Sequence, residues 1–174
     1  MNINIFFLTI SAGLLMIFVG FKPLDIKEQE FVDVPLFKLV SFTLHEFDNK
    51  GLVTLMKGSQ GIRYKDRYKV LDIDYTDNSK EYIANMRADE GLYKDIDDSV
   101  DLKGNVFYNR EDGLIFQTDE ATYSKKTHIA KTKAEYVMYR GLNKATGTKL
   151  VYNNKSNQIK SKNITINYKL KEKK

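Results

Sequence analysis

From Leu36 onward the chain alternates apolar and polar residues, and turn dipeptides cut the alternation into short runs. Val100, Leu102, Val106 and Tyr108 share one face by period two, with Gly104 among them. Ile164, Ile166, Tyr168 and Leu170 repeat the pattern near the C-terminus. Turn signals fall at Asp48-Asn49-Lys50-Gly51, Asp77-Asn78, Glu111-Asp112-Gly113 and Asn153-Asn154. No proline follows Pro35, which suits a sheet whose ladder needs every backbone N–H. Helical spacing is confined to one turn near 79–86. The pattern predicts an all-β domain over residues 36–170.

The runs also repeat. TDEATYSKKTHIAKTKAEYVMY (118–139) echoes ADEGLYKDIDDSVDLKGNVFY (88–108), and the echo extends to both sides. Tyr64, Tyr93, Tyr123 and Tyr152 stand 29, 30 and 29 residues apart. Tyr108, Tyr139 and Tyr168 form a second series spaced 31 and 29, each preceded two positions earlier by Val106, Val137 or Ile166. A unit of about 30 residues, two strands with their turns, therefore recurs three or four times. Stacked units of this kind bury their apolar faces against one another.

The N-terminus breaks the pattern. Ile3 to Phe21 carries no charge, and as a helix it is about 28 Å long, close to the roughly 30 Å of a bilayer core. No Lys or Arg precedes the apolar run and no small-x-small site follows it, so residues 1–21 are expected to be an uncleaved membrane anchor. Gly13 and Gly20 would lie near one face of that helix, open to a second helix or to lipid. Pro23 and Pro35 bracket an acidic-polar stretch without periodicity, and residues 22–35 are expected to be a stalk. Lys22 and Lys27 follow the anchor and point towards a cytoplasmic domain, a signal partly offset by Asp25 and Glu28.

Composition narrows the chemistry. The net charge of +5 equals that of residues 160–174 alone (six Lys, one Glu), so residues 1–159 sum to zero. Residues 171–174 are expected to be a basic tail, and a basic face for nucleic acid is excluded on this count. The chain has no Cys or Trp and only His45 and His128, which leaves few parts for a metal cluster or a catalytic triad. DIDDSVD (95–101) and DIDYTD (72–77) lack the glycine and terminal glutamate of a calcium loop and read as solvated turns. The sequons at Asn154 and Asn163 are short chance motifs. No metal, cofactor or catalytic residue is expected.

Three segments carry a resemblance: FDNKGLVTLMKGSQGIRYKDRYKVLDIDY, DLKGNVFYNREDGLIFQTDEATY and GTKLVYNNKSNQIKSKNITINYKL. With the anchor and stalk, they resemble in order the LptC family, the membrane-anchored component of lipopolysaccharide export in Gram-negative bacteria. The repeats are shared with LptA and LptD; the single span, stalk and one small domain select LptC. The resemblance implies an open, V-shaped β-jellyroll of stacked antiparallel repeats behind one transmembrane helix, with the domain in the periplasm. That location overrides the weak charge signal. The family receives lipopolysaccharide from the ABC transporter LptB, LptF and LptG and hands it to LptA.

On that resemblance, an apolar trough would be lined by Phe42, Leu71, Ile73, Tyr75, Leu102, Val106, Tyr108, Phe116, Val137, Tyr139, Leu150, Tyr152, Ile166 and Tyr168. Which face of each strand is inward stays open, because Val106-Phe107-Tyr108 is bulky on both. Residues 163–170 would form the last strand, with Asn163, Ile164, Thr165, Ile166, Asn167 and Tyr168 as the edge that LptA caps. Residues 36–47 would lie near the opposite edge, facing the transporter. Gly51, Gly104 and Gly147 match the family's glycines; a turn, a bulge or close strand approach accounts for each, and edge geometry or lipid passage is the functional alternative. The rival from another class is a scaffold with a filled core that joins partners by its strand edges. An enzyme would need paired carboxylates where the periodic positions are apolar.

Overall fold

A computed structural model describes residues 10–11, 13–16, 33–49 and 51–169. The chain divides into Met1–Phe31 and Val32–Lys174. Of the first unit, residues 10–11 and 13–16 are described, and they are helical. No helix among the described residues is long and apolar enough to cross a membrane. The expected anchor (apart from those six residues), the stalk up to residue 32, and the tail with Leu170 lie outside the described residues.

The second unit is all-β. Its strands are β1 (Phe37–Asp48), β2 (Gly51–Arg63), β3 (Arg67–Asp77), β4 (Ala84–Lys94), β5 (Ser99–Arg110), β6 (Leu114–Ser124), β7 (Ile129–Lys131), β8 (Glu135–Arg140), β9 (Asn143–Asn153) and β10 (Gln158–Asn167). They form one antiparallel sheet in sequence order, with β7 and β8 sharing the place between β6 and β9. Such a ladder of hairpins is consistent with a β-jellyroll. Strands β1 and β10 each have a single neighbour and are the two edges.

The 30-residue repeat is a repeat of hairpins. Four-residue turns at 95–98, 125–128 and 154–157 each end on a left-handed residue: Asp98 (φ 46°), His128 (φ 56°) and Asn157 (φ 53°). Asp, His and Asn are the side chains that best tolerate this region. The Tyr93 hydroxyl donates to Asp98 Oδ1 (2.9 Å), and the Tyr152 hydroxyl donates to Asn157 Oδ1 (3.0 Å). Two tyrosines of the first series thus tie a strand end to its turn.

A second set of irregularities falls in mid-strand. Ser41 (φ 49°), Asp72 (φ 50°), Asn105 (φ 47°), Lys149 (φ 54°) and Asn163 (φ 51°) interrupt β1, β3, β5, β9 and β10. Register shifts fall at 87/90 in β4 and 103/106 in β5, and residues 132–134 separate β7 from β8. Bulges bend a strand and reset its alternation. Together they draw a crease across the sheet, and the core lies along it. Val70, Ile73, Ala88, Leu102 and Val106 are buried there, with Phe42, Met56, Tyr75, Met86, Val100 and Ala121 packed against them.

Two expectations are corrected. The helical turn near 79–86 does not form: the Ser79 N–H and hydroxyl both bind Asp77 Oδ1 (2.8 and 2.5 Å), an Asx-type turn, and β4 begins at Ala84. The last strand is not 163–170 but Gln158–Asn167, because the turn at 154–157 lets pairing begin at once.

Large and small side chains interlock along the crease. A Cβ on Gly58 would come within 2.7 Å of Val70 Cγ1 and 2.8 Å of Phe42 Cε1, and one on Gly61 within 2.9 Å of Phe42 Cε1. Gly58→Val is therefore expected to destabilise the domain by about 1–3 kcal/mol, as overpacking does. Urea denaturation of the full chain in detergent, followed by circular dichroism, checks this; an unchanged midpoint would contradict the close packing.

Candidate functional site

Cross-strand register assigns the faces. On one side of the crease, paired residues run Leu44–Met56–Tyr75–Met86–Tyr108–Phe116–Met138–Ala145–Ile166, one per position from edge to edge. Every member is apolar or aromatic. On the other side the matching row is Phe37–Arg63–Tyr68–Tyr93–Val100–Tyr123–Ala130–Tyr152–Ile159. Met56, Tyr75 and Met86 from the first row and Val100 from the second pack on the same buried cluster, so both rows look inward. They are the walls of a trough whose base is the crease.

Burial falls from the base upward. Residues at the crease are buried, among them Val70, Ile73, Leu102, Val106, Tyr136 and Leu150. From Met56 to Met138 the first row is half-buried, Ala145 is buried, and the ends are exposed: Leu44 to 54% and Ile166 to 61%. The base is filled, and apolar surface continues above it to both edges. Burial raises the phenol pKa of Tyr75 and Tyr108, so both rings stay neutral.

Most of the sequence-derived positions fall on this inner face. Phe42, Ile73, Leu102, Val106 and Leu150 lie at the crease; Tyr75, Tyr108, Phe116 and Ile166 lie on one wall and Tyr152 on the other. Tyr168 follows the last strand and is 68% exposed. Three positions are corrected. Leu71 pairs with Gln60 and Glu90, Val137 with Gln117 and Thr146, and Tyr139 with Ile115 and Lys144, all on the outer face. The cause is a slip in alternation: left-handed Asp72 puts Val70 and Ile73, not Leu71, on the same side, and the break at 132–134 makes Tyr136 and Met138 the inward pair of β8. The second tyrosine series therefore does not share one face.

Sequence reasoning missed Gly58, Gly61, Gly91 and Tyr136. Gly91 lies below Ile73, whose Cδ1 is 3.2 Å from where a Cβ would be. Tyr136 is 2% exposed and its hydroxyl bonds Ser161 Oγ at 2.8 Å, reaching β10 from β8. Gly147 makes room for that pair: a Cβ there would be 2.8 Å from the Tyr136 hydroxyl and 3.0 Å from Ser161 Oγ. Gly104 (φ 72°) begins the β5 bulge, where its neighbour Asn105 donates to Asp89 Oδ2 (2.9 Å). Gly51 (φ 124°) starts β2 after the first turn. Space at crease positions was the usable signal, but which residues oppose each other is invisible without register.

The trough mouth is lined by turns. Arg110 donates to both carboxylate oxygens of Asp112 (2.8 and 2.7 Å), and Arg140 donates to the second at 3.2 Å. The Arg110 hydrogen bond holds the Asp112 carboxyl down at about 2, and the same contact raises Arg110. On the outer face, a hollow of about 580 Å³ beside Ser99 and Lys131 contains Asp101, already bound by Lys94 (2.8 Å) and the Thr122 hydroxyl (2.8 Å). No group of three or more metal-ligating side chains occurs among the described residues.

The inner face thus carries one apolar row from edge to edge. The family of lipopolysaccharide-assembly, LptC-related proteins matches residues 7–169. This chain belongs to the LptC family. LptC proteins are transport components of the Gram-negative envelope, and membership assigns the chain a role in lipopolysaccharide transport and outer-membrane biogenesis. No curated protein matches the sequence.

The hydroxyl pair beneath β10 gives this domain a measurable dependence. Tyr136→Phe should cost about 1 kcal/mol, the usual net worth of a hydrogen bond, with Ser161 still bonded to the Thr148 carbonyl (3.1 Å). Gly147→Val should cost more and raise amide exchange selectively in β10. Hydrogen-exchange mass spectrometry separates these outcomes; uniform protection across β9 and β10 in both variants would contradict them.

Proposed function

We propose that the trough carries the acyl chains of lipopolysaccharide. The chains enter at the β1 edge, from the LptB, LptF and LptG transporter, and leave at the β10 edge, towards LptA. The observation that carries this reading is the unbroken apolar row from Leu44 to Ile166, exposed at both ends. Each methylene moved from water onto such a surface gains about 0.8 kcal/mol, and the sugar and phosphate parts remain in solvent. Met56, Met86 and Met138 are interspersed with the aromatic rings of Tyr75, Tyr108 and Phe116 along the row. Their flexible thioethers adapt to a chain passing at any register, so no single position traps it.

In this reading residues 1–21 anchor the protein as a single span in the inner membrane. Residues 22–35 lead to the periplasmic domain. The transporter supplies ATP, and the chain supplies a path. The open edges have a use here, since strand addition to β1 and β10 continues the trough into its neighbours. Asn163, Ile164, Thr165, Ile166 and Asn167, with Tyr168 beyond them, form the LptA-facing edge.

Photocrosslinking tests the path. A photoreactive residue at Tyr108, Phe116 or Met138 should give lipopolysaccharide adducts that increase with ATP in a reconstituted transport assay; one at outward Tyr139 should give none. If no inward position yields an adduct while LptA still binds, the protein is a scaffold and the lipid path is wrong.

A further inference from the structure

The domain's near-neutrality conceals a strong separation of charge. Residues 33–120 hold 12 basic against 18 acidic side chains, a net of −6; residues 121–169 hold 11 against one, Glu135, a net of +10. The sheet runs in sequence order, so this division becomes spatial: β1 to most of β6 is acidic, and β7 to β10 is basic.

The separation recurs at the mouth of the trough. Each strand bends at the crease, so its two ends, with their turns, rise to the two lips. On the lip nearer the tyrosine row, the β4–β5 turn carries Asp95, Asp97 and Asp98, and the next turn, β6–β7, carries Lys125 and Lys126. The β9–β10 turn carries Lys155. On the other lip, the β5–β6 turn has Glu111 and Asp112 against Arg110, and the β8–β9 turn follows with Arg140 and no acid. Lys125, Lys126 and Lys155 have no ion pair among those the structure records, whereas many of the cations of the acidic half do: Arg63 with Asp95 (2.8 Å), Lys69 with Glu90 (2.8 Å) and Lys94 with Asp101 (2.8 Å).

We propose that the mouth is electrically graded and holds the anionic headgroup of the bound amphiphile over the β6–β10 half of the trough. This rests on the acyl-chain reading above and adds a direction to it. An amphiphile with its chains in the trough projects its phosphates between the lips. There, on the way from β1, they pass a β2–β3 turn of mixed charge and meet the carboxylates of the β4–β5 and β5–β6 turns. Ammonium groups without a recorded ion pair follow at the β6–β7 and β9–β10 turns, with Lys125 also lying 5.0 Å over the Tyr93 ring. The gradient disfavours residence near β1 and favours residence near β10, where the lipid leaves. Exposed charges are screened beyond a Debye length of about 8 Å at physiological salt, so the effect acts on the phosphates directly at the lips. Each exposed charge is worth little, and three or more acting together on one bisphosphate shift its distribution by roughly five- to ten-fold.

The experiment uses the full chain in detergent micelles, with a photoreactive residue at Leu44 or at Ile166, and two probes: bisphosphorylated lipid A and the same lipid A without phosphates. The ratio of Ile166 to Leu44 adducts should be at least five-fold higher for the bisphosphorylated probe, and the difference should shrink in 0.5 M salt. Lys125→Glu, Lys126→Glu and Lys155→Glu combined should remove the difference while leaving the phosphate-free adducts unchanged; Asp97→Lys, on the acidic turn, should raise the Leu44 adduct with the bisphosphorylated probe alone. Equal ratios for the two probes, with adducts at both positions, would overturn the graded mouth and leave the trough intact. Absence of adducts with either probe would overturn the trough itself, and the grading with it.

Discussion

Everything in this domain depends on the crease, where large side chains from one strand fill gaps left by glycine or alanine on the next. Across it, Leu39 opposes Gly61, Gly61 opposes Val70, Val70 opposes Gly91, Gly91 opposes Leu102, and Leu102 opposes Ala121. A parallel line runs through Val106, Thr118, Tyr136 and Gly147. Along the crease, residues of both inner rows pack on one buried cluster. Bulky residues at every position would force the halves apart, and small ones throughout would bury too little.

Confining the filled core to the base leaves the walls free for another use. A closed β-sandwich would bury both inner faces against each other, and its interior would be spent on stability. Here the buried residues stop near the crease, and a row of methionine and aromatic side chains stays half-exposed above it. The same economy leaves one side of β1 and one side of β10 unpaired, although open edges normally invite aggregation. Apolar Leu44 and Ile166 stand exposed on those edge strands.

The turn chemistry and the crease have separate roles. Asp98, His128 and Asn157 close hairpins at the lips and give the sequence its visible period. Ser41, Asp72, Asn105, Lys149 and Asn163 bend the strands; three of them are Asp or Asn, which tolerate the left-handed region, but the five follow no even spacing that would show in the sequence. The tyrosine series reflects this division. Tyr93 and Tyr152 each tie a strand end to its turn, while Tyr108 and Tyr139, alike in spacing, face opposite ways.

The sequence by itself determined the strands, their turns, the repeat, and the family, because alternation and turn dipeptides are local properties of the chain. Alternation left the inward face of each strand open, and register puts the candidates Ile73, Tyr75, Leu102, Val106, Tyr108, Phe116, Leu150 and Ile166 on the face of the buried cluster. Only the tertiary structure decided the positions next to the bends. A single left-handed residue shifts the alternation by one, which turns Leu71 outward and keeps Ile73 inward; the break between β7 and β8 does the same to Val137 and Tyr139. Likewise, the need for Gly58 and Gly61 arises from Phe42, 16 and 19 residues earlier, and exists only once the strands are paired. Face and fit are relations between strands, and a linear pattern carries them only as far as the next bulge.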